Sequence, residues 1–352
     1  MATAVRAAGF GLLPLPADEP PPADHVPPGP QPLQLIDRLR EESDLREKFI
    51  RDAGPKRAAR IVAQVGRWRP DVIVTDEADV GTVVAAERLG IPCATVIVLA
   101  AGGMLRADMV GTAWDEVRAS QGLPPDDGIA RVRGELAIDP TPPGYREPGD
   151  PIGVPVVRVR LSEVDAAAAA AAPPWPVTRP GRPAVYITLG TVFNLESGDL
   201  LGRIVAGLAD HDGDVLVTIG RDRDPGALGR QPDHVHVERF VPQAAVLPHV
   251  AAVVSHAGSG SVLGALAHGL PMVLLPMGAD QPWNGDRCAS LGVARVLDPL
   301  DATPGSIAVA VREVLGDPSY RRAAEALRDA HETTPGPHAA VAALEALAGA
   351  RI

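Results

Sequence analysis

The sequence predicts an α/β protein in which two units, each a parallel sheet wound with helices, follow one another along the chain. From residue 69 onward, short apolar runs alternate with segments of helical periodicity, and glycine, proline or polar residues bound most of them. The chain has 352 residues, enough for two such units with separate cores. The alanine- and proline-rich stretch 165–183 interrupts the alternation and predicts a linker between units 1–164 and 184–352.

The first unit opens irregularly. Residues 1–15 predict the end of a helix followed by a strand over Gly9–Leu13, and a proline-rich segment covers residues 20–32. Helices are expected over Leu33–Ile50 and Pro55–Trp68.

The clearest strand–helix–strand pattern of the first unit begins at Arg69. A strand over Val72–Val74 ends at Asp76, a helix covers Val80–Leu89, and the next strand covers Pro92–Val98. Asp76 is therefore expected at the carboxyl edge of a parallel sheet, where an aspartate either caps the next helix or takes part in chemistry. Helical and turn patterns without recognisable chemistry follow over 108–150, and a strand is predicted over Val154–Arg160.

The second unit repeats strand and helix regularly. Its predicted strands cover residues 184–189, 215–219, 234–237, 251–254, 272–275 and 293–297, and its last helices start near residues 306, 320 and 338. Polar, glycine and aromatic residues follow the strand ends and should converge on one edge: Thr191, Gly220, Phe240, Gln243, His256 and Asp280.

The stretch from His256 to Asn284 carries the chemistry. A glycine- and serine-rich turn, residues 258–261, opens a helix and presents backbone N–H groups that suit a diphosphate, with the ring of His256 beside it. A second loop, predicted over 276–284, offers the acid–amide pair Asp280–Gln281 for sugar hydroxyls. Together they predict a nucleotide-sugar site; the plainer alternative is a capped turn and a surface Asp–Gln pair.

This stretch resembles the donor-binding signature of the family-1 glycosyltransferases, and most closely the bacterial branch that modifies antibiotics and other natural products. The shared features are the His-x-Gly-x-Gly-Ser turn from His256, Gly269-Leu270-Pro271, and Asp280-Gln281 with Asn284. The resemblance implies the GT-B fold, two Rossmann-like domains. It also implies inverting, metal-independent transfer of a hexose or deoxyhexose from a UDP- or TDP-sugar to a hydroxyl of a small-molecule aglycone. No cofactor besides the donor is expected.

The resemblance also implies roles for individual residues. Thr191 would contact the diphosphate, Phe240 would stack on the base or belong to the core, and Val241 and Gln243 would bind through backbone and side chain. One position departs from the family, because Gly264 replaces a glutamate that holds the ribose in many members. The remaining expected donor contacts are His256, Gly258, Ser259, Gly260, Ser261, Asp280, Gln281 and Asn284.

The catalytic histidine of the family follows a first strand that this sequence does not show. Its first domain is expected to lack the leading strand–helix–strand, so that Asp76, the matching orienting carboxylate, has no histidine partner. His25, the one histidine in the first 200 residues, is a weak substitute in a proline-rich segment. Two explanations stay open: a misplaced start of a complete enzyme, or a non-catalytic sugar-nucleotide binder or helper protein.

Charge and cysteine content exclude several other classes. The net charge of −11 argues against nucleic acid and anionic membrane surfaces as partners. Cys93 and Cys288 form no motif, so a reducing cytoplasm is expected, and no signal peptide or membrane span is predicted. The Asp-x-Asp strings at 210–212 and 222–224 are expected to be solvated loop acids rather than a metal site.

Overall fold

The computed structural model describes residues 5–6, 8–13, 31–65, 68–160, 179, 181–190, 195–221 and 223–349. The first sheet has the order β1-β2-β3-β4, with all neighbours parallel. Its strands are short and cover Ile73–Asp76, Cys93–Val96, Leu136–Asp139 and Val156–Arg158.

The second sheet has six parallel strands in the order β10-β9-β8-β5-β6-β7. The strands cover Val185–Thr188, Val215–Thr218, Val235–Glu238, Ala252–Ser255, Met272–Leu274 and Ala294–Val296. Strands β6 and β7 extend the sheet on one side of β5, and strands β8, β9 and β10 then extend it on the other side. The crevice between the carboxyl ends of β5 and β8 is thus the topological switch point, where such sheets bind ligands.

Eleven α-helices of the described residues accompany these strands, and none is long and apolar enough to cross a bilayer. In chain order, α1 to α11 cover Arg38–Asp44, Gly54–Val65, Val80–Leu89, Ala107–Ser120, Leu200–Gly207, Gln243–Val246, Ser259–Ala267, Gln281–Ser290, Pro304–Gly316, Pro318–Glu332 and His338–Gly349. A π-helical segment, Leu45–Ala53, joins the first two.

Both faces of the second sheet are buried, which explains why its strands read as continuous apolar runs. Val185 and Ile187 of β5 enter the core beneath α5 and α9, whereas Tyr186 between them enters the core beneath α7. The predicted α/β class with two parallel sheets is confirmed.

Several predicted elements are wrong in detail. Gly9–Leu13 forms no strand and Phe10 is 70% exposed, because no strand among the described residues lies beside this segment to supply hydrogen bonds or an apolar face. The helix expected from Leu33 begins at Arg38, where Asp37 caps it by accepting from the Leu39 and Arg40 N–H groups. Strand β3 within 108–150 was not predicted.

The loop predicted over 276–284 is half helical, because α8 already begins at Gln281 with Pro282 in its first turn. The predicted linker 165–183 falls largely outside the described residues, so the division into domains at that point stays a prediction.

Backbone hydrogen bonds outside the sheets also join the two units. The Gln31 N–H donates to the Leu195 carbonyl at 2.6 Å, and the Arg160 N–H donates to the Pro335 carbonyl at 2.8 Å. The second contact precedes α11, which packs against β4. The end of the chain therefore returns to the first sheet.

The α2–α3 contact depends on a glycine. A Cβ at Gly81 would lie 2.5 Å from the Gly54 carbonyl oxygen and 2.7 Å from Cβ of Arg57. We expect Gly81→Ala to lower the free energy of unfolding by about 1–3 kcal/mol, because the helices must separate. The midpoint of urea denaturation, followed by circular dichroism, measures this.

Gly111→Ala in α4 is the matched control. There a Cβ would meet only Ile129 Cγ2, at 3.9 Å, so the helix propensity of alanine should leave stability equal or raise it by up to about 1 kcal/mol. Equal midpoints for Gly81→Ala and the unchanged protein would contradict the close helix contact.

Candidate functional site

The expected edge residues that the structure describes lie beyond the strand ends. Gly220, Phe240, His256 and Asp280 follow the carboxyl ends of β6, β7, β8 and β9, with Gln243 shortly after Phe240, and Gly190 follows β5; all five strands run parallel. Since β8 lies beside β5, His256 and the Gly190 backbone meet at the switch point. Thr191 lies outside the described residues, so its predicted diphosphate contact stays a prediction.

The His256 ring lies between two glycine backbones. A Cβ at Gly190 would come within 2.7 Å of Cε1 and Nε2, and a Cβ at Gly258 would overlap Nε2. Gly190 has φ +73°, so a side chain there would also strain the backbone. Residues 190 and 258 must therefore be glycine to leave room for the imidazole ring.

His256 is buried and uncharged at neutral pH. Its residue exposure is 8%, and this burial lowers the ring pKa to about 4, against a smaller opposing effect of a hydrogen bond with the Thr188 backbone. Nδ1 has no hydrogen-bond partner among the described residues. Nδ1 is itself buried, so any hydrogen bond from this neutral ring to a ligand must come from Nε2, which lies against the Gly190 and Gly258 backbones.

The N-terminus of helix α7 lies at the same crevice. Gly258 is its N-cap, with extended φ −62° and ψ 142°, and no side chain caps the helix. Ser259, Gly260 and Ser261 form the first turn. The Ser261 N–H donates to the Gly258 carbonyl at 3.0 Å, whereas the N–H groups of Ser259 and Gly260 have no acceptor within the helix. The predicted glycine–serine turn is thus an uncapped helix N-terminus beside His256, which favours an anion.

Ser259, Asp280 and Asn284 form a hydrogen-bonded group that we call the donor-side cluster. Ser259 Oγ donates to Asp280 Oδ2 at 2.6 Å, and Asn284 Nδ2 donates to the same oxygen at 2.8 Å. Burial raises the pKa of Asp280 above its ordinary value, although the bonds from Ser259 and Asn284 oppose the shift. Asn284 is fully buried, so its amide bonds to protein groups, and its predicted donor contact stays a prediction.

Gln281 and Gln243 are oriented by the protein. Gln281 is 1% exposed, and its Oε1 accepts the Met277 N–H at 2.7 Å. Gln243 Nε2 donates to Ser261 Oγ at 3.4 Å, while its Oε1 lies 3.2 Å from the point that a Cβ at Gly264 would occupy. The roles of both glutamines toward the donor stay predictions.

Phe240 is exposed rather than part of the core. It is 47% exposed, and the Arg221 guanidinium lies 3.9 Å from its ring centroid. The two side chains line a surface cavity of about 530 Å³ with Pro225, Glu238 and Arg239. Val241, next in the chain, is half-buried against the core. An exposed aromatic ring at a sheet edge is compatible with the predicted stacking on a base.

Asp76 is exposed at the end of β1, where its Oδ1 accepts the Ala78 and Asp79 N–H groups at 2.9 and 3.0 Å. It therefore caps the turn, whereas Asp79 caps helix α3. Its predicted catalytic role stays a prediction, and His25 lies outside the described residues.

The sequence prediction missed a group of four largely buried charges, which we call the charge cluster: Glu77, Arg133, Arg146 and Asp150. Arg133 Nε donates to Glu77 Oε2 at 3.0 Å, and Arg146 Nη2 donates to Asp150 Oδ2 at 2.9 Å. The four residues are scattered over 74 positions with no periodic pattern, so the sequence contained no signal for them.

Comparison with known proteins shows that the chain is similar to glycosyltransferases of antibiotic biosynthesis. Residues 202–347 match the family model "Erythromycin biosynthesis protein CIII-like, C-terminal domain". The chain is 31% identical over 322 residues to 4'-demethylrebeccamycin synthase of Lentzea aerocolonigenes, covering 81% of this chain and 75% of that protein. It is 29% identical over 303 residues to the TDP-daunosamine transferase DnrS of Streptomyces peucetius, covering 80% and 68%.

A similar fold occurs among solved structures. The glycosyltransferase of kitacinnamycin superposes with a TM-score of 0.75 at 23% sequence identity, covering 98% of this chain and 89% of that one. At this identity the likeness concerns the fold.

The buried ring of His256 gives a pH prediction. Because burial lowers its pKa to about 4, we expect His256 to remain mostly neutral from pH 8 down to pH 5. The unfolded chain, with a histidine pKa near 6.5, takes up the proton first, so stability falls as pH falls from about 6.5 to 4, by up to about 1.4 kcal/mol per pH unit. Proton NMR of the histidine Cε1–H signals measures the titration, with His256→Gln assigning the resonance. A midpoint near 6.5 would contradict the burial.

Proposed function

We propose that this chain, which belongs to the bacterial natural-product branch of the family-1 glycosyltransferases, transfers a hexose or deoxyhexose from a UDP- or TDP-sugar to a hydroxyl of a small-molecule aglycone. The name of one relative specifies a TDP-sugar donor, which supports a nucleoside diphosphate sugar here. Either pyrimidine nucleotide fits the proposal.

The meeting of His256, the Gly190 backbone and the start of α7 at the switch point carries the proposal. A diphosphate placed there would receive hydrogen bonds from the uncapped N–H groups of α7 and from the His256 ring. Asp280, next to the same helix start, offers a carboxylate to hydroxyls of the attached sugar. The Phe240 ring lies at the same sheet edge, on the side of β7, and would hold the base.

In the proposed reaction an aglycone hydroxyl oxygen attacks C1 of the sugar and forms the new glycosidic bond. The bond from C1 to the diphosphate oxygen breaks, its electron pair leaves with the nucleoside diphosphate, and the configuration at C1 inverts. Negative charge grows on the leaving oxygen, where the α7 N-terminus and the neutral His256 ring can stabilise it. Charge stabilisation by these groups requires no metal ion.

The hydroxyl proton must pass to a base on the side of the first sheet. The resemblance gives Asp76 the role of orienting a histidine. Because no histidine lies among the described residues of the first sheet unit, we propose instead that Asp76, an exposed carboxylate at the carboxyl end of β1, accepts the proton itself. Its Oδ1 is already held by two backbone N–H groups, which fix the orientation of the carboxylate.

Donor binding is tested by thermal unfolding with TDP, UDP, TDP-glucose and UDP-glucose in buffer containing EDTA. We expect at least one of them to raise Tm, since a ligand that binds only the native state at 100 times its Kd stabilises by about 2.7 kcal/mol. His256→Ala should weaken the apparent affinity tenfold or more, because it removes a ring that lies against both glycine backbones.

His249→Ala, an exposed histidine in the turn Leu247–His249, is the control and should bind as the unchanged protein does. No shift in Tm with any of the four compounds would overturn the proposed function. A shift that requires added Mn²⁺ would overturn its metal-independent form.

The role of Asp76 is tested by Asp76→Asn, in which the amide oxygen can keep accepting the Ala78 and Asp79 N–H groups. We expect kcat to fall about 100-fold, the size of a lost general base, with little change in Tm. The assay is nucleoside diphosphate release from TDP-glucose or UDP-glucose with a panel of phenolic and macrolactone aglycones. Asp79→Asn should retain kcat, and an unchanged kcat in Asp76→Asn would remove Asp76 from the chemistry.

A further inference from the structure

The backbone of the loop that follows β2, residues 98–103, is held by hydrogen bonds to members of the charge cluster. Glu77 Oε1 accepts the Val98 and Leu99 N–H groups at 3.1 and 2.8 Å. Arg146 Nη1 donates to the Leu99 carbonyl at 3.1 Å, and Asp150 Oδ2 accepts the Gly103 N–H at 2.7 Å. We call this segment the β2 loop; it lies at the carboxyl edge of the first sheet, where that sheet would meet a ligand.

The same loop bonds to the second sheet unit through the donor-side cluster. The Ala100 N–H donates to Ser259 Oγ at 3.1 Å, and the Ala101 N–H donates to Asn284 Oδ1 at 3.0 Å. The N–H groups of two consecutive residues in the first unit therefore donate to side chains that are predicted to bind the donor.

Asn284 is held in one orientation by its partners. Its Nδ2 donates to the Ala257 carbonyl at 3.0 Å, and its Oδ1 accepts from the Ala101 N–H. A carbonyl can only accept and an N–H can only donate, so the amide cannot be flipped. The donor half of the carboxamide faces the second unit and the acceptor half faces the β2 loop.

Ser259 has no hydrogen-bonding capacity left over. Its one proton goes to Asp280 Oδ2, and its two lone pairs face the Ala100 N–H and Asn284 Nδ2, the latter at 3.1 Å. The two protons of Asn284 Nδ2 serve three acceptors, Ser259 Oγ, Asp280 Oδ2 and the Ala257 carbonyl, so one of these protons is shared. A ligand that bonds to Ser259 must therefore exchange a bond in a chain that ends on the β2 loop. A ligand that donates to Asp280 adds a bond to a carboxylate that already accepts from Ser259 and Asn284.

We propose that Asn284 is a positioning residue that couples occupancy of the donor site to the placement of the β2 loop. The inference rests on the proposed donor site. A sugar hydroxyl that donates to Asp280 fixes the carboxylate in the orientation that Asn284 Nδ2 contacts. Because the carboxamide is rigid, its Oδ1 is then fixed as well and restrains the Ala101 N–H more strongly than in the absence of the sugar. By reciprocity, a restrained β2 loop strengthens donor binding.

Hydrogen–deuterium exchange of a peptide covering residues 98–105 tests the coupling, with TDP-glucose and UDP-glucose as probes and TDP and UDP alone as references. In the unchanged protein we expect the nucleotide sugar that raises Tm to slow exchange of this peptide about threefold or more. The diphosphate without sugar should have a smaller effect, because it does not supply the hydroxyl that reaches Asp280.

Asn284→Leu keeps a side chain of similar size and removes both halves of the amide. We expect about tenfold faster exchange of the β2 loop without ligand and no slowing by the nucleotide sugar, while TDP or UDP still raises Tm through the α7 N-terminus. Donor KM should rise more than kcat falls. Tyr145→Phe is the control, because it removes a hydroxyl that reaches the same Oδ1 at a long 3.4 Å and leaves the Ala101 bond in place; it should respond as the unchanged protein does.

Failure of the coupling and failure of the proposed function give different results. If a nucleotide sugar raises Tm of the unchanged protein but does not alter exchange of the β2 loop, the coupling is wrong and the proposed function stands. The coupling is equally wrong if Asn284→Leu keeps the full response. If no nucleotide or nucleotide sugar raises Tm, the proposed function fails and the coupling fails with it.

Discussion

The confinement of the β2 loop between two sets of largely buried polar groups is the constraint on which the site geometry depends. On one side the carboxylates of Glu77 and Asp150 and the guanidinium of Arg146 hold its backbone. On the other side Ser259 and Asn284 receive its N–H groups. Removing one member of a buried ion pair leaves its partner uncompensated, at a cost of about 3–5 kcal/mol. The β2 loop thus connects the buried charges of the first unit with the donor-side cluster of the second through its own backbone.

Much of this arrangement follows from the sequence, because parallel strands buried on both faces are read as apolar runs. Val253 and Val254 in β8 and Met272–Leu274 in β9 are such runs, and the residues after them had to lie at one edge. That edge placed His256 beside Asp280 without knowledge of any relative. The fold and the position of the candidate site were therefore predictable from local pattern.

The remainder was not predictable, because it depends on contacts between distant segments. Strand β3 has only four residues, Leu136–Asp139, and becomes a strand by pairing with β2 and β4. Glu77 and Arg133 are each ordinary polar residues in the sequence, and only the fold reveals them as a buried ion pair. Gly9–Leu13 shows the converse, since a β-like composition forms no strand without a neighbour to accept its hydrogen bonds.

Gly264 limits how the surroundings of helix α7 can change. A Cβ at this position would lie 3.2 Å from both Gln243 Oε1 and Leu247 Cδ1, so a larger side chain requires the ends of these two side chains to shift by a few tenths of an ångström. The free energy of a substitution at residue 264 therefore depends on residues 243 and 247, and changes at the three positions should not add independently. Residue 264 can be exchanged freely only together with its two neighbours.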